Sequence, residues 1–383
     1  MYILEKVKEA KAAELGENAY HINSNLEYSI DYNDKKNVET IQQLVDTIVS
    51  GTELTESQKQ QIHDLGLDPN ISPQELLSII RKTIPQQQIE QFAERMQVSP
   101  EFIQFKLNEM LARIIEKSEF TYKTNADTLL EILLSGKIKN GHETGTSSLG
   151  IGDDYFTTRE YIEGLIFQQQ STENVADKPV YGMAMPTLDS VKAARYYLQG
   201  AGCDIGYDSI NDTPRCVCIF KKNNIIDSTT ITSGDSINYI GNSIASQASN
   251  PQLTGTFPGM LDQIETYDQI ATAELTDLYD VDSDSYLEIQ LHGEKSHGID
   301  MIDKVVFIDK APSTEVMSAL ADQGIGFEVL LQSKPQDVSA AYMKEHGISY
   351  SYIGQKVVLD SNGKPIFEGN KLKLEEVLIK VEN

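Results

Sequence analysis

The stretch Ser285-Tyr-Leu-Glu-Ile-Gln-Leu-His-Gly293 alternates in character. Leu287, Ile289 and Leu291 fall on one parity, and Tyr286, Glu288, Gln290 and His292 on the other. In a strand, side chains two apart share a face. The spacing therefore predicts a strand with one apolar face and one face carrying a carboxylate, an amide and an imidazole in a row. On an antiparallel sheet open to water on one side, such a row is an ordinary solvated face. Turned into a cleft, it is a platform for chemistry.

The sequence on either side of this strand has the same texture. From Phe120 onward, short β-branched apolar runs recur: "FTYK", "VYGMAM", "RCVCIF", "STTITS", "YLEIQLH" and "KVVFID". Two helix-like runs, "NADTLLEILLSGKI" and "TREYIEGLIFQQQ", lie between the first two. Scattered strands with few helices between them predict an α+β unit built on a largely antiparallel sheet. The segment "SGDSINYIGNSIASQASNPQLTGTFPG" is rich in Ser, Asn and Gly and reads as one long loop.

Before Phe120 the period is helical. "TESQKQQIHDLGL" has Thr55 followed three residues on by Gln58, the shape of a capping box. Ser72-Pro73 and Ser99-Pro100 each place a capping hydroxyl before a proline suited to a first helical turn. In the last of these runs, Phe102, Ile103, Phe105, Leu107, Met110, Leu111, Ile114 and Ile115 keep a helix spacing. From about Pro312 the text reads helix, strand, helix and hairpin, with Asn362-Gly363 between two strand-like runs as the hairpin signal. These textures divide the chain into a helical part, 1–118, an α+β part, 119–311, and a small α/β module, 312–383.

The chain has 383 residues, enough for two or three domains with a sizeable core. With 40% hydrophobic and 23% charged residues, it has the composition of a folded protein rather than a disordered one. The net charge is −26, which argues against a phosphate-backbone partner, because such binding rests on Lys and Arg neutralising phosphates. The expectation is thus no nucleic acid. An acidic surface suits a basic protein partner, or serves solubility alone. There are three cysteines: Cys216 and Cys218 fall on one face of a strand-like run, and Cys203 stands apart. They read as small buried hydrophobes in a reducing compartment, not as a disulfide frame or a zinc site. No run of about 18 apolar residues exists to span a membrane. The N-terminus "MYILEKVKEAKAAELG" is amphipathic and lacks a signal-peptide core.

Two segments carry candidate chemistry. "GHETGTSSLG", residues 141–150, gathers Glu143, the hydroxyls of Thr144, Thr146, Ser147 and Ser148, and three glycines about a turn. Glycine lets backbone approach a ligand, and small hydroxyls orient a ribose or a carboxylate. Taken by itself, the segment reads as a polar loop after a helix. The second segment is the Glu288-x-Gln290-x-His292 face. Asp280, Asp282 and Asp284 have the first three ligand positions of a calcium loop, but Ser285 and Leu291 stand where its glycine and last glutamate belong. No phosphate loop, nucleophile elbow or helical zinc motif occurs, so no metal is expected.

The order of the blocks carries more than any one of them: "GHETGTSS", "KPVYGMAM", "PRCVCIF", "TTITSGDS", "YLEIQLHG", "IDKVVFID". The series resembles a bacterial family, formerly a domain of unknown function, that includes secreted effectors ADP-ribosylating ubiquitin on threonine. The resemblance covers about residues 120–310. It implies a mono-ADP-ribosyltransferase-like core, a split antiparallel sheet gripping NAD between its halves, preceded by the helical domain. It implies NAD as co-substrate, a protein acceptor such as ubiquitin, and a bacterial cytoplasm or a secreted route into host cytosol. Carried over by position, it makes Glu288 the glutamate beside the nicotinamide ribose, with Gln290 and His292 orienting substrate, supporting Glu288 or taking the acceptor's proton. Thr146 and Ser147 supply the hydroxyl element of the NAD grip, and Glu143 is a further residue expected to bind NAD. The first Arg or His of such enzymes is absent from "FTYKTN", which offers Tyr122 and Lys123, so Arg159 or Arg215 takes that role. An NAD glycohydrolase and a non-catalytic binding module are the alternatives.

Overall fold

The computed structural model describes residues 35–49, 53–145, 159, 163, 166–167, 174–200, 213–234, 236, 245–253, 264–278, 286–369 and 371–383. Four helices open this set: α1 Lys35–Val49, α2 Glu56–Asp64, α3 Pro73–Arg95 and α4 Pro100–Lys117. Their starts follow from local chemistry. The Thr55 hydroxyl accepts from Gln58 N, and the Gln58 side chain accepts from Thr55 N, which closes the capping box. Ser72 and Ser99 accept from Glu75 N and Phe102 N, each with proline at the next position.

Two apolar cores result. Ile41, Leu44 and Ile48 of α1, Ile62 of α2 and the first half of α3 form one, joined by Ile166 and Phe167. The second half of α3 and the inner face of α4 instead pack into the larger core, against the sheet. The helical part is therefore shared between two cores.

Ten strands form one sheet: β1 Ser118–Asn125, β2 Val180–Pro186, β3 Arg215–Phe220, β4 Thr229–Ser233, β5 Ser246–Gln247, β6 Leu287–Leu291, β7 Ile302–Ile308, β8 Gly326–Leu331, β9 Tyr350–Val357 and β12 Leu374–Val381. A separate small hairpin pairs β10 Phe367–Glu368 with β11 Lys371–Leu372. The order in the large sheet is β12-β9-β8-β7-β3-β1-β2-β6-β4-β5. Pairing is antiparallel except for β7–β8 and β8–β9. The largely antiparallel sheet expected from the sequence is present. Its two halves are joined through β1, which pairs with β2 over residues 118–121 and with β3 over residues 121–125, so the pairing changes partner at Thr121.

Other helices include α5 Ala126–Ser135, α6 Gly141–Thr144, α7 Val191–Gly200, α8 Thr314–Asp322 and α9 Asp337–Glu345. The parallel strands β7, β8 and β9 follow from α8 and α9, which carry the chain back to the start of the next strand. Residues 312–383 thus extend the main sheet. The polar segment read as one long loop contributes β5, which pairs Ser246 with Ile231 and Gln247 with Thr230. The Asn362-Gly363 turn forms as read: Gly363 has φ 77°, and Asp360 accepts from Asn362 N and Lys364 N through its side chain. Cys216 and Cys218 are fully buried in the middle of the sheet. Cys203 lies outside the described residues.

Candidate active site

All five residues of β6 are buried. Glu288 is 5% exposed, Gln290 0% and His292 8%, so the polar face does not look onto bulk water. A buried polar row must satisfy itself, and β4 supplies the partners. The register sets Thr230 opposite Gln290 and Thr232 opposite Glu288.

The network has a direction. Gln290 Nε2 donates to Glu288 Oε1 at 2.7 Å and to Thr232 Oγ1 at 2.8 Å. Its amide nitrogen is then fully used, so Gln290 Oε1 is the acceptor for the Thr230 hydroxyl at 2.8 Å. Thr230 has only one proton. The 2.7 Å contact between its Oγ1 and His292 Nε2 must therefore be donated by the ring, which fixes the Nε2–H tautomer. The chain of donors runs from His292 through Thr230 and Gln290 to the carboxylate of Glu288. Ser236 N adds a second donor to Glu288 Oε1, at 3.3 Å.

A second buried group adjoins the first through β2. Tyr181 stands opposite Gln290 in the β2–β6 register, and opposed residues share a face. The Tyr181 hydroxyl donates to Glu163 Oε1 at 2.8 Å, and Arg159 Nε donates to the same oxygen at 3.0 Å. The other Glu163 oxygen meets His142 Nε2 at 3.1 Å. The Arg159 guanidinium lies 4.2 Å from the centre of the Tyr181 ring. Phe167 closes the gap between the groups, with its ring edge-on to His292 at 4.8 Å.

Burial pushes the Glu163 carboxyl up, but the His142 bond and the Arg159 charge outweigh it and hold the group below its usual range. Burial, then the Glu163 charge, pushes the Tyr181 hydroxyl well above its usual value, and the Glu288 charge adds to that push. Burial lowers His292 to about 4, against a smaller opposing pull from Glu163. The two groups therefore feel one another as a single electrostatic site.

The structure brings Glu288, Gln290, His292 and Arg159 together. It holds three other expected residues elsewhere. Tyr122 falls on the opposite face, since the register that pairs Thr121 with Met183 and Met183 with Glu288 puts its neighbour Tyr122 on the Ile289 side. Arg215, at the start of β3, pairs with Asp309, and β1 and β2 lie between β3 and β6 in the sheet. Glu143 closes a capping box with Asn140 at the start of α6 and bonds Lys137 at 2.7 Å, while Lys137 also bonds Glu294. That arrangement ties the turn to the end of β6, and it is the neighbour His142 that enters the site. Thr146 and Ser147 lie outside the described residues. Thr230, Thr232, Tyr181, Glu163 and His142 were not singled out from the sequence.

Among the described residues there is no group of three or more His, Cys, Asp or Glu placed to hold a metal ion, and no helix long and apolar enough to cross a membrane.

No protein-family model and no curated protein matches the sequence. Among solved structures, the chain is similar to Thermus sp. 2.9 DarT in complex with ADP-ribosylated single-stranded DNA, at TM-score 0.30 and 10% identity over 55% of this chain and 93% of that one. It is similar also to Thermus sp. 2.9 DarT in complex with NAD+, at TM-score 0.26 and 9% identity over 56% and 96%. The likeness is coarse, and the roles of the site residues rest on their own geometry. One of these structures holds NAD+, the co-substrate that the block series implies. The other overturns the exclusion of nucleic acid, since it holds a modified DNA strand. The physical error in that expectation is that net charge sums the whole surface, whereas a bound strand meets only one groove of it.

Proposed function

We propose that this chain is an NAD-dependent ADP-ribosyltransferase in which Glu288 is the carboxylate beside the nicotinamide ribose. The observation that carries the reading is the setting of Glu288: buried to 5% exposure, with one oxygen accepting from both Gln290 Nε2 and Ser236 N. Two fixed donors aim the group without neutralising it. A carboxylate so held suits a reaction that develops positive charge.

In that reaction the bond from ribose C1′ to the nicotinamide nitrogen breaks, and its electron pair leaves with nicotinamide. Glu288 offsets the oxocarbenium-like charge that grows on the ribose. The acceptor oxygen then bonds to C1′ and releases its proton. Preorganised charge stabilisation of this kind is commonly the largest catalytic contribution. Gln290 holds the carboxylate in place. His292 acts as a support for Gln290 through Thr230 rather than as the proton acceptor, since its Nε2 is already a donor and burial makes the ring a weak base. Arg159 is the cation of the site and the group proposed for the NAD phosphates. The division 1–118, 119–311 and 312–383 is proposed as one of roles: every site residue named above comes from the middle part.

The test incubates the full chain with NAD labelled on its adenylate half. Two acceptors are tried: ubiquitin, which the block series implies, and single-stranded DNA, which a similar structure holds in ADP-ribosylated form. Label on an acceptor is expected, with Glu288→Gln lowering the transfer about a hundredfold or more at an unchanged melting temperature. Nicotinamide release without transfer would make the chain a glycohydrolase. The reading fails if NAD stays intact with both acceptors, or if Glu288→Gln is as active as the wild type.

A further inference from the structure

Strand β12 ends the sheet, and among the described residues it pairs with β9 alone. It runs for eight residues, Leu374–Val381, without proline, and its middle is Val377-Leu378-Ile379. An edge of that length presents a row of backbone donors and acceptors to any second strand, and proteins normally cover or interrupt it. Apolar surface lies beside it: Leu359, Phe367, Leu372 and Leu374 are all exposed.

We propose that this edge pairs antiparallel with the same edge of a second copy, centred on Leu378. A two-fold axis perpendicular to a sheet must pass through a residue that faces its own copy, because opposed residues share a side and chain neighbours do not. Only a few registers remain. Centred on Glu376, the two carboxylates would face each other. Centred on Val377, Glu376 would face Leu378 and Lys380 would face Leu374. Centred on Ile379, Glu376 would face Glu382. Centred on Leu378, Glu376 faces Lys380 of the copy, Val377 faces Ile379, and symmetry repeats both pairs. The run Glu376-Val377-Leu378-Ile379-Lys380 is thus self-complementary in charge and symmetric in hydropathy about Leu378.

The two charged groups are held where this register needs them. Glu376 and Lys380 share one face of β12, where Arg195 of α7 bonds the former and Leu188 O accepts from the latter at 3.1 Å. The overall charge of −26 opposes association, but Lys364, Lys371 and Lys373 of the adjacent hairpin region make this edge one of the less acidic parts of the chain. Charges farther apart than about 8 Å are largely screened at physiological salt.

The experiment measures the mass of the full chain in solution by light scattering or sedimentation across a range of concentrations. The wild type should show a species of twice the 42.7 kDa chain mass, populated as concentration rises. Lys380→Glu and Glu376→Lys each put like charges opposite one another at two places, and each should raise the dimer dissociation constant about tenfold or more. The deciding arm mixes the two single variants. One copy then carries two lysines across this edge and the other two glutamates, and the register sets each lysine opposite a glutamate. A mixed dimer should therefore form where each variant alone is monomeric. A melting curve for each variant separates misfolding from lost pairing. A wild type that stays monomeric throughout would overturn the proposal. So would single variants that dimerise like wild type, or a mixture of folded variants that does not associate.

Discussion

Gln290 uses both ends of its amide, and that explains why an amide stands between a carboxylate and an imidazole. Its nitrogen serves Glu288 and Thr232, and its oxygen serves Thr230. A second carboxylate at this position would face Glu288 with no donor between them, and like charges so close cannot both stay ionised. His292 illustrates the other requirement of a buried site. Its ordinary value of 6.5 falls to about 4 because burial disfavours the charged ring. The unfolded chain therefore binds a proton near pH 6.5 that the folded chain refuses until about pH 4. Stability is unaffected above that window and falls as the pH drops through it, by up to about 3 kcal/mol from this ring alone. His297, also lowered by burial, acts in the same sense. His292→Gln can still donate to Thr230 but cannot titrate. Denaturant melts at a series of pH values should show a shallower acid loss for the variant than for the wild type. An unchanged slope would mean that the ring is already charged in the folded state.

At the scale of elements, the site is a ladder between β4 and β6 with β2 on its other flank. The alternation that predicts β6 is in the sequence, and so is the Thr230-x-Thr232 alternation of β4. Their adjacency is not, since the partners are about sixty residues apart: 60 for Thr230–Gln290 and 58 for Gln290–Thr232. Only tertiary pairing joins them. Glu163 was illegible for a related reason: Arg159 stands four residues before it, but its other partners, His142 and Tyr181, come from separate stretches of chain. Helix α7 gave little periodic signal because its buried side includes Ala193, Ala194, Tyr196 and Tyr197 rather than a branched aliphatic row. The "KPVYG" block has a physical reason beyond resemblance. A Cβ on Gly182 would collide with the Thr121 carbonyl oxygen and crowd Ile289 Cγ1. β1 and β2 can meet at their observed register only because that side chain is missing. Gly182→Ala should therefore destabilise the fold by about 1–3 kcal/mol, read as a lower midpoint in denaturant. A midpoint equal to that of the wild type would mean that the two strands shift without cost.

The whole molecule is organised by one continuous sheet. Strands from residues 118 to 381 belong to it, and the larger core reaches from the second half of α3 to β9. Composition gave the correct class, an acidic folded chain with α+β texture, and the alternation in six short runs located most of the central strands. It did not reveal that the C-terminal strands would join the same sheet, because β7, β8 and β9 are parallel, and parallel pairing leaves no hairpin signature in the text. The helical part was legible as helices through its caps. Its division between two cores was not, since which face of α3 meets the sheet depends on partners far along the chain.

Cys216 and Cys218 sit at the middle of this sheet, with no exposed surface. Burial also pushes the Cys216 thiol well above its ordinary value, and alkylating reagents attack the thiolate. That sulfur is therefore shielded twice, by sterics and by protonation, and its neighbour at least by sterics. Their modification by a maleimide or by iodoacetamide should wait for the centre of the sheet to come apart, and the rate of mass gain at the peptide carrying them becomes an internal clock for global opening. Rapid labelling of that peptide in the native protein would mean that the middle strands separate far more often than their packing allows.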